Sequence, residues 1–279
     1  MSTITLTLKE QPVVPLEAEV ISPDVFAGRG LDEIRALPVF LGKRQRRLDD
    51  FFAVEGKGGD DLEIRGDAGR VKWIGRAMTR GRVKIVGNAG MHLGAYMKGG
   101  AIEVSGDASD WVGAEMTGGS IRIRGSAGGQ VGAAYRGSLS GMNGGTILVE
   151  GSAGIEVGMR MKRGVIAVKG PVRDFAGLQM KGGTLFLMGG AEIRTGAWMM
   201  RGTIVALKPV RLMPTFTYAC TYHPTFLRVY ARHLQEMGFS IPYEEREGAY
   251  QRYTGDGAVP GKGEVLVWQG SGERGASAP

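Results

Sequence analysis

The chain has 279 residues, of which 43% are hydrophobic and only 8% aromatic, with one cysteine and a formal net charge of +7. One cysteine excludes an internal disulfide, and neither an apolar run of about 18 residues nor a basic and apolar leader indicates a membrane span or secretory signal. The charge favours an acidic partner, but no aromatic side chains alternate with the basic ones as in nucleic-acid binding proteins. We therefore expect a soluble, elongated cytoplasmic domain that binds neither membrane nor nucleic acid.

Residues 1–61 predict an N-terminal cap of strands and a short helix that leads into the repeats. The segment 1–8 alternates like an edge strand, and 16–21 is a second candidate strand. A helix over 31–37 would end at Pro38. The basic run 43–47 precedes the first repeat.

Residues 62–208 contain glycine-anchored repeats with a period of about 19 residues. Two columns of structural glycines recur seven residues apart: Gly87, Gly106, Gly125, Gly151, Gly170 and Gly189, then Gly94, Gly113, Gly132, Gly158, Gly177 and Gly196. Between Gly125 and Gly151 there are seven extra residues, which we place in an insertion within 136–145. A fixed period of this size predicts a solenoid, because each unit is too small to bury its own apolar face.

Apolar residues alternate just before the first glycine column, as in Ile102 and Val104 or Ile121 and Ile123, and this period of two indicates strands. The fold class predicted is all-β, a right-handed single-stranded parallel β-helix of about eight coils, each about 4.8 Å thick. Glycines would occupy corners that need a positive φ. A second short strand would follow the second glycine column, with alanines such as Ala95 and Ala114 pointing inward.

A methionine column follows that second strand, and its members are Met97, Met116, Met161, Met180 and Met199, with Tyr135 in the methionine position once. Thioethers bind soft metals. A stacked inward column is more typical of gap-filling core, which methionine does well. We therefore predict core rather than a metal site.

After Gly202 the repeat decays, and Lys208 and Pro209 would end the stack. Residues 209–254 predict a C-terminal cap with a helix over 224–237, in which Pro224 takes the first helical position and Gly238 ends the helix. The glycine-rich and serine-rich segment 255–279 predicts a flexible tail.

The sequence offers no catalytic residues and no metal ligands. Cys220 and His223 have ligand-like spacing, but no second pair accompanies them, so a buried thiol beside a helix start is the favoured interpretation. The segment 257–263 lacks the residues of a phosphate loop. Glu103, Glu115 and Glu156 are scattered rather than clustered as an enzyme acting on polysaccharides would need.

Basic residues follow the methionine column and would form a ladder along one edge: Lys98, Arg136, Lys162, Arg163, Lys181 and Arg201. One interpretation is solvated charge that prevents edge-to-edge aggregation. The other is a docking edge for an acidic chain or a partner subunit. The outward residues Trp111, Trp198 and Phe186 are left open between interface and coil cap.

Repeats with paired glycines resemble the glycine-rich β-helix of the C-terminal domain of glutamate synthase and of the C subunit of formylmethanofuran dehydrogenase. The flanks, from VPLEAEVISPDVFAGRG at the N-terminal side and RLMPTFTYACTYHPTFLRVY at the C-terminal side, are similar to the bacterial form of this C subunit, from the formyltransferase/hydrolase complex of methylotrophs. The resemblance runs from about residue 14 to about residue 243.

This resemblance implies a non-catalytic scaffold subunit of a hetero-oligomer that serves one-carbon metabolism. The complex would move a formyl group from tetrahydromethanopterin to methanofuran, which has a polyglutamate tail, and release formate. The implied partners are a formyltransferase subunit, a metal-dependent hydrolase subunit and a homologue of the pterin subunit, and the chain itself would hold no tightly bound cofactor.

The basic ladder could hold the polyglutamate tail. The alternatives are the C subunit of a tungsten or molybdenum formylmethanofuran dehydrogenase and a glutamate-synthase-like domain, the latter expected within a much longer polypeptide.

Overall fold

The computed structural model of the chain describes residues 3–58 and 60–270, and these are mostly strand, which confirms the all-β prediction. In chain order the strands are β1 (Thr3–Leu8), β2 (Leu16–Glu17), β3 (Pro38–Leu41), β4 (Arg44–Arg47), β5 (Phe52–Gly56), β6 (Asp61–Arg65), β7 (Val71–Lys72), β8 (Arg82–Val86), β9 (Ala101–Val104), β10 (Ser120–Ile123), β11 (Asn143–Val149), β12 (Arg163–Val168), β13 (Lys181–Leu187), β14 (Arg201–Ala206), β15 (Thr217–Tyr222), β16 (Tyr250–Gly255) and β17 (Gly263–Trp268). The helices are α1 (Pro23–Phe26), α2 (Leu31–Arg35), α3 (Leu227–Glu236) and α4 (Tyr243–Glu247), with a 3₁₀ turn at Leu48–Asp50. None of the described helices has the length and apolarity to cross a membrane.

The repeats stack in parallel, each strand pairing with the strand of the next repeat. From β6 to β14 every neighbour in the sheet is the next repeat along the chain, and partners such as Ile102 and Ile121 hold equivalent positions in successive repeats. Because side chains alternate across a strand, this register aligns the apolar positions of all the repeats on one inner face. Ile102, Val104, Ile121 and Ile123 are buried there.

The second line of pairing lies at a different place from the one predicted. The residues that follow Gly94, where a second strand was expected, form a turn. The second ladder is instead a row of single parallel bridges two residues after the first glycine column, formed by Ala68, Ala89, Ala108, Ala127, Ala153, Val172 and Ala191. Ala95 and Ala114 are nevertheless buried, as expected.

The two glycine columns are needed for different reasons. Every glycine of the second column has φ between +61° and +73°, a region that costs other residues strain. In the first column only Gly87 has a positive φ, so the prediction of positive φ is wrong for the other five. At Gly189 a Cβ atom would lie 2.3 Å from the carbonyl carbon of Gly170. Close contact between coils therefore excludes a side chain there.

The methionine column is fully buried, which fits its prediction as core. Its member in the longest repeat is Met142 rather than Tyr135, because the methyl group of Met142 lies against Gly164 as that of Met116 lies against Gly145. The seven extra residues are therefore 135–141, just before this methionine. We call this segment the insertion.

The N-terminal segment is integrated into the main sheet more deeply than predicted. β1 lies between β5 and β6, pairing antiparallel with the first and parallel with the second, so it is not an edge strand. The predicted strand over 16–21 is shortened to β2, which with β3, β4 and β7 forms a separate four-stranded sheet. The predicted helix over 31–37 ends at Arg35, and Pro38 begins β3.

The C-terminal segment extends the sheet instead of only capping it. β17 pairs in parallel with β14, and β16 and β15 follow in antiparallel order, so Lys208 and Pro209 do not end the stack. The prediction of a flexible tail is wrong for residues 263–268, because β17 covers the open edge that β14 would otherwise expose. The last nine residues of that predicted tail, 271–279, lie outside the described residues.

Helix α3 covers the outer face of the sheet near its C-terminal end. It begins at Leu227 rather than at the expected Pro224. Its apolar face packs on outward residues of successive strands, including Phe186 and Val205, and forms with them a second hydrophobic core. Phe186 is therefore a buried packing residue. Arg122 donates hydrogen bonds to the carbonyl oxygens of Met237 (2.6 Å) and Gly238 (2.9 Å) and so holds the C-terminal end of the helix.

Candidate functional site

The structure brings only two of the six predicted cations, Lys162 and Lys181, to equivalent positions in adjacent coils. The residue after each column methionine donates its N–H to the methionine carbonyl one coil earlier, so Lys162 stacks on the coil of Met142 and Lys181 on that of Met161. We call this position, the residue after each column methionine, a rung, and Lys162 and Lys181 occupy adjacent rungs. Lys98 is separated from them because Thr117 and Asn143 occupy the two intervening rungs. The ladder is therefore not continuous.

The other predicted cations take different places. Arg163 and Arg201 begin β12 and β14, one position beyond the rungs, and both are exposed. Arg136 is exposed within the insertion and belongs to no rung. In the described part of the chain none of the six predicted cations pairs with a carboxylate. The six side chains thus keep an uncompensated positive charge.

The insertion folds back over the coils that follow it. Lys181 Nζ donates to the carbonyl oxygen of Leu139, and Arg160 Nη1 donates to that of Ser138 at 2.6 Å. Arg160 also donates through Nε to Gln179 Oε1 at 2.7 Å. These contacts fix the insertion beside Lys181, which is only partly exposed.

The first residue of the insertion, Tyr135, completes an aromatic cluster. Trp73 and His92 stack at 4.0 Å between ring centroids, and Tyr135 stacks on Trp111 at 4.8 Å. Tyr135 also hydrogen-bonds His92 Nδ1 at 2.8 Å through its hydroxyl, while its backbone N–H donates to Glu115 Oε1. The cluster anchors the start of the insertion on the three coils that precede it, those of Trp73, His92 and Trp111.

Electrostatics keep this cluster uncharged at neutral pH. Burial, followed by the positive charge of Lys72, lowers the pKa of His92 to about 4, against the opposing effect of Asp110. Burial also raises the pKa of the Tyr135 hydroxyl well above its usual range. The hydrogen bond between the two is therefore one between neutral groups.

The backbone of the cluster has an unusual conformation that the sequence interpretation missed. Non-glycine residues with a positive φ recur two positions before the second glycine column: Trp73, His92, Trp111, Gln130, Glu156, Phe175 and Arg194. Large residues at this conformation are uncommon outside turns. The only signal in the sequence was that this column contains no β-branched residue.

The last coil is closed by the buried carboxylate of Asp256. In earlier coils the equivalent N–H, for example that of Gln179, donates to a carbonyl of the next coil, Ala197. Trp198 has no such coil, and its N–H donates to Asp256 Oδ2 at 2.9 Å. Although burial raises the pKa of Asp256, hydrogen bonds from Ala258, Thr215 and Trp198 outweigh it and lower that pKa.

The remaining candidates do not form a reactive constellation. Cys220 lies exposed on β15, which corrects the expectation of a buried thiol. His223 Nδ1 lies 3.0 Å from the carbonyl oxygen of Glu247. No group of three or more His, Cys, Asp or Glu side chains able to hold a metal occurs within residues 3–58 and 60–270.

The three acidic residues considered earlier serve local contacts. Glu103 pairs with Arg124 at 2.7 Å, and Glu156 accepts a hydrogen bond from Gln130. Glu115 holds the backbone of Tyr135. The surface near the insertion therefore offers a set of cations, a neutral aromatic cluster and the exposed indole of Trp198.

Comparison with known proteins gives consistent matches. The family model described as the GXGXG motif matches residues 66–215. The C subunit of the formyltransferase/hydrolase complex Fhc of Methylorubrum extorquens is 51% identical over 263 residues, covering 94% of this chain and 98% of that protein. In the X-ray structure of this complex (FhcABCD) with methylofuran, one chain matches with a TM-score of 0.87 and 32% identity, covering 95% of this chain and 100% of that chain.

Archaeal relatives match over a shorter stretch. The C subunit of the tungsten-containing formylmethanofuran dehydrogenase 2 of Methanothermobacter thermautotrophicus is 47% identical over 100 residues, 34% of this chain and 37% of that protein. The C subunit of the molybdenum-containing formylmethanofuran dehydrogenase 1 of Methanosarcina barkeri is 42% identical over 98 residues, 33% of each. The match to these relatives therefore spans little more than a third of their length.

Proposed function

The chain belongs to the glycine-rich family of C subunits of formyltransferase/hydrolase and formylmethanofuran dehydrogenase complexes, and we propose that it is the non-catalytic scaffold subunit of a formyltransferase/hydrolase complex. The observation that carries this proposal is the whole-length likeness to the Methylorubrum protein, which extends through both flanks. The matches to the archaeal dehydrogenase proteins cover only about a third of the chain. This difference in coverage favours the bacterial type of complex over the tungsten or molybdenum alternative.

In this role the complex transfers a formyl group from tetrahydromethanopterin to a methanofuran-type cofactor and releases formate, in one-carbon metabolism in the cytoplasm. The partners are a formyltransferase subunit, a metal-dependent hydrolase subunit and a homologue of the pterin subunit. The solved relative is a complex with methylofuran, which supports a furan cofactor in the assembly.

The architecture supports a scaffold. We infer that the parallel ladders from β6 to β14 are the coils of a right-handed parallel β-helix, since one strand per repeat pairs in register with the next. A stack of this kind presents many surfaces at fixed spacing, because each coil contacts only its neighbours.

The basic residues are proposed to hold the polyglutamate tail of the cofactor. Glutamate carboxylates at neutral pH need cations, and Lys98, Lys162, Arg163 and Arg201 are exposed without carboxylate partners in the described chain. Arg136 and Lys181 have the same charge but lie apart from this exposed set, Arg136 within the insertion and Lys181 against it through its bond to the carbonyl oxygen of Leu139. The contact would be loose and weakened by salt, because exposed charges are screened.

Activity measurements test the scaffold role. We expect the purified chain alone to neither transfer nor hydrolyse formyl groups. Without this chain the partner subunits should fail to assemble, although each isolated partner keeps its own activity. Turnover by the chain alone would contradict the proposal.

Replacement of Lys98, Lys162, Arg163 and Arg201 by serine tests the tail contact. Retention of the furan cofactor by the variant complex should decrease and lose part of its salt dependence. The matched control replaces four exposed cations elsewhere, Arg29, Lys43, Arg44 and Lys57. Equal retention in both variants would show that the row is ordinary surface.

A further inference from the structure

An open groove of about 440 Å³ lies between the insertion and the C-terminal turn that contains Val259. Its floor consists of the last coils, with Trp198 and Met200 side by side, and its wall on the insertion side is Leu139. Arg160 and Lys181 line the same groove. The groove is distinct from the aromatic cluster, which lies over the earlier coils.

The apolar side chains of the groove are unusually exposed. Leu139 is 78% exposed, Trp198 48% and Met200 46%. The outward Phe186 on β13, by contrast, is covered by α3. A contiguous exposed patch that combines a tryptophan with aliphatic side chains is typical of an interaction site.

The charge of the groove has one sign. Arg160 and Lys181 are bonded to carbonyl oxygens of the insertion and to an amide, none of which carries a negative charge. No carboxylate lines the groove within the described chain. Next to the groove, the exposed residue Lys262 donates its backbone N–H to the carbonyl of Met200 at 2.7 Å.

The groove is preorganised. The hydrogen bonds of Arg160 and Lys181 hold the insertion, and the N–H of Trp198 is held by the buried Asp256. Because the insertion wall and the floor are fixed before anything binds, an occupant does not have to order them, and that saves conformational entropy on association.

We propose that this groove docks an acidic segment of a partner subunit, with one bulky apolar side chain between Leu139, Trp198 and Met200 and flanking carboxylates on Lys181 and Lys262. The proposal rests on the proposed role of the chain as a subunit of a complex. Charge complementarity selects the occupant, since a second copy of this chain would bring the same cations to the contact. A pure polycarboxylate, such as the cofactor tail, would leave the apolar walls uncovered.

Site-specific cross-linking in the purified complex tests the occupant. The photoreactive residue p-benzoylphenylalanine is placed at position 139, where the side chain faces the groove and is mostly exposed. We expect a cross-link to a peptide of a partner subunit that contains Asp or Glu residues next to a bulky apolar residue. A cross-link to the furan cofactor, to a second copy of this chain or to a basic peptide would overturn the proposal, as would the absence of any cross-link.

A pair of variants measures the contribution of the groove. The double substitution Leu139→Ser and Met200→Ser should weaken association of this chain with its partners on the order of tenfold, since anchors in central pockets dominate interface affinity. The matched control is Val229→Ser, a similarly exposed apolar residue (72%) on α3. The charge variant Lys181→Gln should lower affinity most at low salt, compared with Lys43→Gln.

The outcomes separate the two levels of the account. If the unaltered chain forms no complex, the proposed function fails and the docking proposal fails with it. If the complex forms and the groove variants associate as tightly as Val229→Ser, the docking proposal alone is wrong. Loss of cofactor retention without loss of association would assign the groove to the cofactor and also refute the docking proposal.

Discussion

The contact between coils can be tested at a single glycine. Gly119 has φ +83°, and a Cβ atom there would lie 2.7 Å from Met97 Cε, 2.8 Å from the carbonyl oxygen of Gly100 and 2.9 Å from the carbonyl carbon of Gly99. Gly137 in the insertion has nearly the same φ, +89°, but nothing within 4 Å of its Cβ position. The pair therefore separates backbone strain from contact between coils.

Both alanine substitutions impose the left-handed conformation on a residue with a Cβ atom, which costs about 1 kcal/mol. Gly119→Ala also requires two hydrogen-bonded coils to move apart, and inserting a methyl group into a packed interior costs a further 1–3 kcal/mol, about 2 here. We expect a loss of roughly 3 kcal/mol for Gly119→Ala and about 1 kcal/mol for Gly137→Ala.

Urea unfolding of the purified variants, followed by circular dichroism, gives the two changes in unfolding free energy. Equal losses for the two variants would refute the argument that close packing between coils, rather than φ alone, selects glycine. A loss greater at Gly137 would contradict the described conformation of the insertion.

Two further predictions concern the aromatic cluster and the helix that covers the sheet. The pKa of His92 is lowered from 6.5 to about 4, so between these pH values the imidazole is protonated in the unfolded state but neutral in the folded state. The contribution of His92 to stability is full above about pH 6.5 and falls as the pH drops toward 4. His92→Phe should therefore flatten this range of a plot of the urea midpoint against pH. An unchanged slope would show that His92 is protonated in the fold. Arg122→Met should loosen α3 by about 2 kcal/mol, because two charge-assisted hydrogen bonds to its C-terminal carbonyls are lost. Amide hydrogen exchange in α3 should then accelerate roughly 30-fold, whereas the exposed Arg124→Met should leave it unchanged; equal effects would contradict the capping role.

The repeat register could be predicted from the sequence because it depends on local patterns. Ile102 and Ile121 occupy equivalent positions in successive repeats, and the structure pairs them directly. The methionine column was predicted for the same reason. The error at Tyr135 arose because positions were counted from Gly132. Met142, like Met97, Met116 and Met180, is followed two and three residues later by a pair of glycines, and this pattern identifies it as the column member.

Long-range pairing could not be predicted in this way. β17 pairs with β14 although the whole C-terminal cap lies between them in the chain, as for Thr203 and Glu264, and no periodicity connects them. The covering role of α3 does have a signal in the sequence: Phe186 and Val205 are apolar on the face that is charged in earlier coils, at Lys84, Glu103 and Arg122. Apolar residues on both faces of a strand predict a second covering layer.

The candidate site was predicted only as a set of charges. Lys162 and Lys181 do share an edge, but Lys98 and Arg136 are set apart by the rungs of Thr117 and Asn143 and by the insertion. The groove beside Lys181 depends on where the insertion folds, which is determined by hydrogen bonds of Arg160 and Lys181 to backbone carbonyls. Sequence patterns do not encode such contacts.

The most direct test of the central proposal is the composition of the native assembly. The chain is purified from its own cells at native abundance with a mild affinity tag, and co-eluting proteins are identified and quantified by mass spectrometry together with the native mass. The account predicts stoichiometric recovery of a formyltransferase subunit and a metal-dependent hydrolase subunit in one hetero-oligomer. Recovery of the chain as a lone monomer would contradict it.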